Sequence, residues 1–275
     1  MRFSVLSSGS SGNTAYVEST SGGLLVDAGV SCRRLKLLLA RIGRSLGDVG
    51  AILLTHGHGD HTSGLRSILR ERSVPIFAAP GVAATVRTLD VRSRESLETS
   101  GISAVFFEVP HDTPTFGLRL EEGTRSVVVA TDLGEVTPEA LRMMRGADAL
   151  MLEANHDPAW LMGGPYSAEL KRRVSAPNGH LSNQQAADAA LALAPYGLKD
   201  LVLAHLSKTN NSPARATGTV SRALREAGHG GVRVRAAIAG HPTPVIEVGA
   251  PLVSGDYVYR YERRPNEGPR LFGIE

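Results

Sequence analysis

Residues 51–61 read Ala51-Ile52-Leu53-Leu54-Thr55-His56-Gly57-His58-Gly59-Asp60-His61. Four apolar residues in a row, without polar alternation, mark a strand that is covered on both faces. Three imidazoles and a carboxylate follow it within six residues. These are the side chains that zinc and similar divalent ions take as ligands. In an extended His-x-His both rings, His56 and His58, lie on one side of the chain and can grip one ion. Asp60 and His61 can then turn to a second ion. The chain has 9 histidines in 275 residues. Three of them beside an aspartate in one loop point to metal binding, not to ordinary loop composition.

Further candidate ligands lie beyond other apolar runs. His111 follows Val105-Phe106-Phe107-Glu108-Val109, Asp132 follows Val127-Val128-Val129-Ala130, and His205 follows Leu201-Val202-Leu203-Ala204. Taken singly, each is more often a turn or capping residue. Taken with the cluster, they read as strand-end side chains converging on one site.

The remaining pattern predicts strands at 2–7 and 13–18, joined by Ser8-Gly9-Ser10-Ser11-Gly12, and a strand at 24–27 that ends on Asp27. A helix runs from Ser31 to a stop at Gly43. A helix over 62–72 and a strand at 75–77 follow the histidine cluster. Residues 92–100 are polar and read as a surface excursion. Strands are expected at 103–109, 115–121, 126–131, 148–153 and 200–204, helices at 137–145, 182–194 and 212–227, and short strands at 232–236 and 244–248. Strands come first, and then strand and helix alternate, twice over. That order describes an α/β protein with two packed sheets and helices outside them. No repeat or low-complexity linker divides residues 1–275, so a single domain is expected, with a less informative tail from about 250.

The net charge is +3, from 30 basic and 27 acidic residues. This permits an anionic ligand without requiring one. Cys32 is the sole cysteine, which rules out an intramolecular disulfide and fits a reducing compartment. The apolar run at the N-terminus is too short for a signal peptide, and no stretch approaches a membrane span. The expectation is a cytoplasmic protein with no membrane partner.

The His-x-His-x-Asp-His signature, the preceding strand ending in Asp27, and the later His111, Asp132 and His205 resemble the metallo-β-lactamase superfamily. The resemblance implies a four-layer αββα sandwich with the site on one rim and two divalent ions, zinc or manganese. It implies that His56, His58 and His111 hold one ion and that Asp60, His61 and His205 hold the other. Asp132 would bridge the two, and Asp27 would anchor the metal loop.

Other segments are similar to the WalJ (YycJ) branch of that superfamily. They are residues 7–13 (Ser-Ser-Gly-Ser-Ser-Gly-Asn), Ala130-Thr131-Asp132-Leu133-Gly134, Leu152-Glu153-Ala154-Asn155-His156-Asp157, Gly179-His180-Leu181-Ser182-Asn183, and Ala204-His205-Leu206-Ser207. This branch resembles the tRNase Z and PhnP phosphodiesterases. The likeness implies a phosphodiesterase acting on nucleic acid, DNA before RNA, and specifically a 5′-to-3′ DNA exonuclease. A small-molecule or RNA phosphodiesterase is the alternative within enzymes, and a non-catalytic binding protein on the same fold is the alternative outside them. Asp60 and His180 are the residues assigned to catalysis, with His180 facing the scissile phosphate beside a helix N-terminus. Ser8, Ser10 and Asn13 belong to a turn of small residues able to approach a phosphate. Asn155 and His156 either line the substrate groove or turn the chain. Lys171-Arg172-Arg173 and the stretch Arg260 to Arg264 are candidate backbone contacts. His229 and His241 read as ordinary turn histidines.

Overall fold

The computed structural model describes residues 1–86, 89–250, 262–264 and 267–270. The first part of the chain supplies β1 (Arg2–Ser7), β2 (Thr14–Glu18), β3 (Gly23–Val26), α1 (Cys32–Arg41), β4 (Val49–Leu54), α2 (Gly59–Thr62), α3 (Leu65–Leu69), β5 (Ile76–Ala78), α4 (Pro80–Thr85) and β6 (Val91–Ser93). The next part supplies β7 (Ser96–Thr99), β8 (Ile102–Val109), β9 (Thr115–Glu122), β10 (Arg125–Ala130), α5 (Pro138–Met144), β11 (Ala149–Glu153), α6 (Pro158–Gly163) and α7 (Ala168–Val174). It continues through α8 (Asn183–Leu193), β12 (Asp200–Ala204), α9 (Pro213–Glu226) and β13 (Arg233–Ala236). The short β14 (Ile246–Glu247) then returns to pair with β1, and β15 (Glu262–Arg264) pairs with β16 (Glu267–Arg270). One sheet has the order β14-β1-β2-β3-β4-β5-β6 and the other β13-β12-β11-β10-β9-β8-β7. Each sheet is thus built almost wholly from one contiguous part of the chain.

The period of two along the strands sets the layers. Leu24, Val26, Ala51 and Leu53 of one sheet face Val127, Val129, Met151 and Val202 of the other in a shared core. The intervening Leu25, Ile52 and Leu54 pack under α1 and α3 against Leu35, Leu38, Leu39, Leu65 and Ile68. On the far side Val128, Leu150, Leu152, Leu201 and Leu203 pack against residues of α5, α8 and α9. These are the four layers, helix–sheet–sheet–helix, that the resemblance implies. Both faces of β4, β10, β11 and β12 are buried, which is why their sequences are unbroken apolar runs. Each such Leu or Val contributes about 1.5–3 kcal/mol of burial.

The structure departs from the sequence reading in three places. The helix expected over 62–72 is two short ones, α2 and α3. Ser63 and Gly64 separate them because the backbone of Gly64 lies against residues 28–30. A Cβ on Gly64 would meet the Val30 carbonyl oxygen at 1.9 Å. Asp60 and His61 therefore sit in the first turn of a helix, not in a loop. Residues 92–100 are not an excursion. They form β6 and β7, the outer strands of the two sheets, and their polar character is that of edges with exposed faces. Third, α4, α6 and α7 were missed, being too short to show a period. Their start signals were present, Pro80 and Pro158 at the first turn and Asp157 and Ser167 as N-caps. The tail from about 250, including residues 260 and 261 of the stretch Arg260 to Arg264, falls largely outside the described residues.

Candidate metal centre

Strand direction brings the candidate residues together. β3 and β4 run parallel, as do β10, β11 and β12. β8 and β10 are both antiparallel to β9, so they also share a direction. Asp27 follows β3, His56 follows β4, His111 follows β8, Asp132 follows β10, Glu153 ends β11 and His205 follows β12. All of them emerge at the carboxyl ends of their strands, where α/β sheets place ligand sites. Asp27, Asp132 and His205 have φ of 60°, 60° and 54°. That left-handed conformation costs about 1–3 kcal/mol for a non-glycine residue and persists only where surrounding contacts enforce it. The Asp27 N–H donates to Leu53 O at 2.8 Å, and the His205 N–H donates to Ser8 Oγ at 2.8 Å.

Gly29 lets two loops meet beneath the site. A Cβ there would lie 1.6 Å from the Asp60 carbonyl oxygen. That oxygen accepts the Asn13 N–H at 2.8 Å.

Among the described residues, ligand-type atoms form four overlapping groups, with all atoms of a group within 4.8 Å of one another. These are His56, His58 and His111; His56, His61 and Asp132; Asp60, His61 and His205; and Asp132, Glu153, His180 and His205. All seven sequence-predicted ligands are included. Asp132 shares groups with His56 and His61 on one side and with His205 on the other. Its Oδ2 is 3.2 Å from His61 Nε2 and its Oδ1 is 3.5 Å from His205 Nε2.

The atoms of this centre fit a cation. His56 Nε2 and Asp132 Oδ2 are buried without a hydrogen-bond partner, a costly state unless something else occupies their lone pairs. Burial, helped by neighbouring His61, lowers the pKa of His56 to about 2. It therefore stays neutral with a lone pair free. Burial also opposes charge on His61, yet the Asp27 and Asp132 carboxylates raise its pKa well above the usual value. These carboxylates demand a positive charge at that point, and a divalent ion supplies it as well as a proton does. The donors are nitrogen and oxygen only, a set suited to zinc or manganese.

Asp27 orients two of these rings. Its Oδ1 accepts the Thr55 N–H at 2.9 Å, and its Oδ2 accepts the Thr55 hydroxyl at 2.9 Å and lies 2.7 Å from His61 Nδ1. With its proton given to Asp27, Thr55 Oγ1 is left to accept from His56 Nδ1, 3.0 Å away. Both rings are thereby turned with Nε2 toward the centre.

Beside the centre lies a cleft of about 310 Å³, whose walls include His58, Asp60, Asp112, Arg173 and His180. His180 Nδ1 is 2.7 Å from Oε1 of the fully buried Glu153. Glu153 Oε2 accepts the Leu133 N–H at 2.8 Å. Burial alone would lower the pKa of His180, but the Glu153 carboxylate overrides it and raises the value to about 9. The helix beyond His180 begins at Asn183, with Ser182 as N-cap and Gln185 completing a capping box.

The expected substrate contacts separate here. His180 is on the cleft wall, but Ser8, Asn13, Asn155 and His156 are buried behind it. Ser8, Asn13 and Asn155 are spent on internal side-chain bonds, whereas the buried His156 ring leaves Nδ1 without a hydrogen-bond partner. Ser8 Oγ donates to Asn13 Oδ1 at 3.1 Å while holding the His205 N–H. Asn13 Nδ2 donates to Asp60 Oδ2 at 3.0 Å and sits 2.9 Å from His61 Nε2. Asn155 Nδ2 donates to His205 O at 2.9 Å. His156 bridges to Ser182 through its backbone. These four shape the centre and do not face the cleft. Ser10 is exposed on the turn and is not among the cleft residues. His229 and His241 are likewise absent from the cleft wall.

Two residues of the site escaped the sequence reading. Glu153 carried the same signal as Asp132, a carboxylate at the end of an apolar strand. Asp112 sits 3.3 Å from both His58 Nε2 and His111 Nε2 and 2.7 Å from Arg173 Nη2. Its only sequence signal was adjacency to His111.

The profile of the beta-lactamase superfamily domain matches residues 23–206. Exodeoxyribonuclease WalJ of Streptococcus pneumoniae serotype 2 strain D39 is 35% identical over 240 residues, covering 82% of this chain and 89% of that protein. Exodeoxyribonuclease YycJ of Bacillus anthracis is 35% identical over 245 residues, covering 84% and 91%. Among solved structures, the metallo-beta-lactamase fold protein YhfI from Bacillus subtilis matches with a TM-score of 0.67 at 17% identity, over 88% of this chain and 98% of that one. Among the described residues, no helix is long and apolar enough to cross a membrane.

Proposed function

Because this chain belongs to the metallo-β-lactamase superfamily, we propose that it is a two-metal phosphodiesterase acting on nucleic acid, a 5′-to-3′ exonuclease with DNA as the preferred substrate. The observation that supports this reading is the ring of seven candidate ligand residues on one rim, with the His180–Glu153 pair beside it in the same cleft. A metal centre alone serves many hydrolases. A histidine kept protonated at neutral pH suits a reaction whose leaving group is a poorly stabilised alkoxide. The names of the two relatives, both exodeoxyribonucleases, support the same substrate class.

In this reading His56, His58 and His111 hold one ion, Asp60, His61 and His205 hold the other, and Asp132 reaches both. Zinc or manganese ions bound there would offset the charge of a phosphate and lower the pKa of water. The chain supplies the rest. Glu153 engages Nδ1 of His180, which leaves Nε2 as the ring's remaining donor. From it His180 gives a proton to the departing 3′-oxygen, general-acid help worth about 10²–10⁴-fold. Asp60 lines the cleft, where its carboxylate can accept a proton from the attacking water. Asp27, Thr55 and Asn13 fix the rings and carboxylate on which this geometry depends.

The test is to load the protein with zinc or manganese, measure metal per chain, and incubate it with end-labelled single- and double-stranded DNA and RNA. A ladder shortening from the 5′ end on DNA is the expected result. Preference for RNA would move the assignment to RNA processing, and cleavage of small diesters alone would make it a small-molecule enzyme. Absence of hydrolysis with two ions bound would reduce the protein to a binding role.

A further inference from the structure

α1 turns a cationic face to solvent. Arg33, Arg34, Leu37, Ala40 and Arg41 are exposed on it, and Leu37 is left 55% open to water. At spacings of three and seven, Arg34, Leu37 and Arg41 form one stripe, with the leucine between the two cations. Both guanidiniums turn onto the chain that returns toward β14. Arg34 Nη2 donates to Gly240 O at 3.0 Å, and Arg41 Nη1 donates to the same oxygen at 3.2 Å. Gly240 has φ of 73°, and a Cβ there would lie 1.9 Å from Arg34 Nη2, so the missing side chain is what admits the guanidinium. Neighbouring cations are paired with acids: Lys36 with Glu71, Arg44 with Glu18, and Arg2 with Glu247 at 2.8 Å. Among the described residues, no carboxylate pairs with Arg33, Arg34 or Arg41. Two full charges thus share one neutral carbonyl, which does not offset them. Beside Arg41 a cavity of about 260 Å³ opens, and its walls include Phe3, Tyr16, Ile42 and Val245. Val245 is 39% exposed. The charged residues of those walls, Arg2, Glu18, Arg44 and Glu247, are engaged with one another. None of these residues is on the wall of the metal cleft.

We infer that this face of α1 docks an acidic segment of a partner protein, with carboxylates on Arg34 and Arg41 and an apolar side chain in the neighbouring cavity. Charge complementarity identifies the occupant. Guanidinium and carboxylate match in a two-pronged bond. Two guanidiniums already fixed by one carbonyl, and lacking an acid, lose little freedom when they bind. The apolar component separates a peptide from a phosphodiester backbone. Leu37 lies between the cations, and Val245 opens the cavity, where a phosphate chain offers nothing to bury. Arginines around a pocket that takes one apolar anchor are the usual core of a protein interface. The inference concerns a surface apart from the cleft and stands whether or not the protein cleaves phosphodiesters.

The probe is a fluorescein-labelled octapeptide with a central phenylalanine flanked by aspartates. It is titrated with metal-loaded protein while anisotropy is followed. Saturable binding that weakens with added salt is expected. The double variant Arg34→Ala, Arg41→Ala and the single variant Leu37→Asp should each weaken it about 10-fold or more. Both should keep the metal content and circular dichroism spectrum of the parent. A probe with alanine in place of its phenylalanine should bind the unaltered chain about 10-fold more weakly. Duplex DNA should not displace the probe. A Kd above about 1 mM at low salt would overturn the inference. So would full affinity in the arginine variant, which would put the aspartates on the metal centre instead. Displacement by duplex DNA would overturn it in favour of a nucleic-acid contact. Equal affinity for the phenylalanine and alanine probes would remove the apolar anchor and the inference with it. That comparison uses the unaltered chain, so it decides the matter even where a variant fails to fold.

Discussion

Replacing Glu153 with Gln changes one charge at a site sealed from water. Gln has nearly the same shape and can still accept the Leu133 N–H through its carbonyl oxygen, so the local packing is preserved. What disappears is the carboxylate 2.7 Å from His180 Nδ1. With it present, His180 titrates near 9. Without it, only the weaker pull of the Asp132 and Asp112 carboxylates opposes burial, and the value falls toward that of an ordinary histidine, about 6.5. A general acid must be protonated, and at pH 8 the protonated fraction is about 0.9 for a pKa of 9 and about 0.03 for 6.5. The variant should therefore lose about 30-fold in rate at pH 8 and very little at pH 5.5. The assay is kcat/KM for a dinucleoside phosphodiester across pH 5–10, which reports the free enzyme. The basic limb should move down by about two pH units. Bound cations lower both profiles together, so the separation between parent and variant is the diagnostic. A basic limb that stays in place, with a uniform loss at every pH, would refute the claim that Glu153 acts through the proton on His180.

Three further outcomes follow from the geometry. Asp132→Ala should bind fewer than two ions per chain by elemental analysis and lose turnover while keeping its circular dichroism spectrum, because the one carboxylate reaching both ligand groups is gone. His180→Ala should keep full metal content but hydrolyse a natural diester about 10²–10⁴-fold more slowly. The loss should shrink on a nitrophenyl ester, whose leaving group needs no proton, and equal losses on both would mean positioning instead. Gly64→Ala should destabilise the fold by about 2–3 kcal/mol in a denaturant melt, since its Cβ meets two carbonyl oxygens, at 1.9 and 2.6 Å. Gly59→Ala, with open space at its Cβ, should stay within about 0.5 kcal/mol.

Much of the candidate centre was legible because the residues that could hold an ion obey a local rule. His111, Asp132 and His205 each come after a run of buried residues, and such runs announce a doubly covered strand whatever lies elsewhere. Direction was not legible. That β8 points the same way as β10 depends on β9 pairing between them, a non-local fact. The small polar residues were read by type and mislocated by depth. Ser8, Asn13 and Asn155 look like phosphate contacts in a loop, yet nothing local says that the loop is roofed over. Asp112 and Arg173 lie 61 residues apart, and only the fold brings them to 2.7 Å. The break at Gly64 was invisible for the same reason, since its cause is the carbonyl of Val30.

Apart from β14 the two sheets are separate stretches of chain, and the candidate ligand residues divide along the same boundary. His56, His58, Asp60 and His61 belong to the first sheet, and His111, Asp132 and His205 to the second. A cation held by both sets is a clasp at the open edge of the sandwich. It would add nothing to either sheet alone but would resist their parting, by about 2.7 kcal/mol at a free ion concentration of 100 times Kd. Depleting the cation should therefore loosen the molecule at one seam instead of softening it throughout. Exchange-labelled amides on the inner faces near the rim would become accessible first, and those beneath α1 and α8 would follow only on global unfolding.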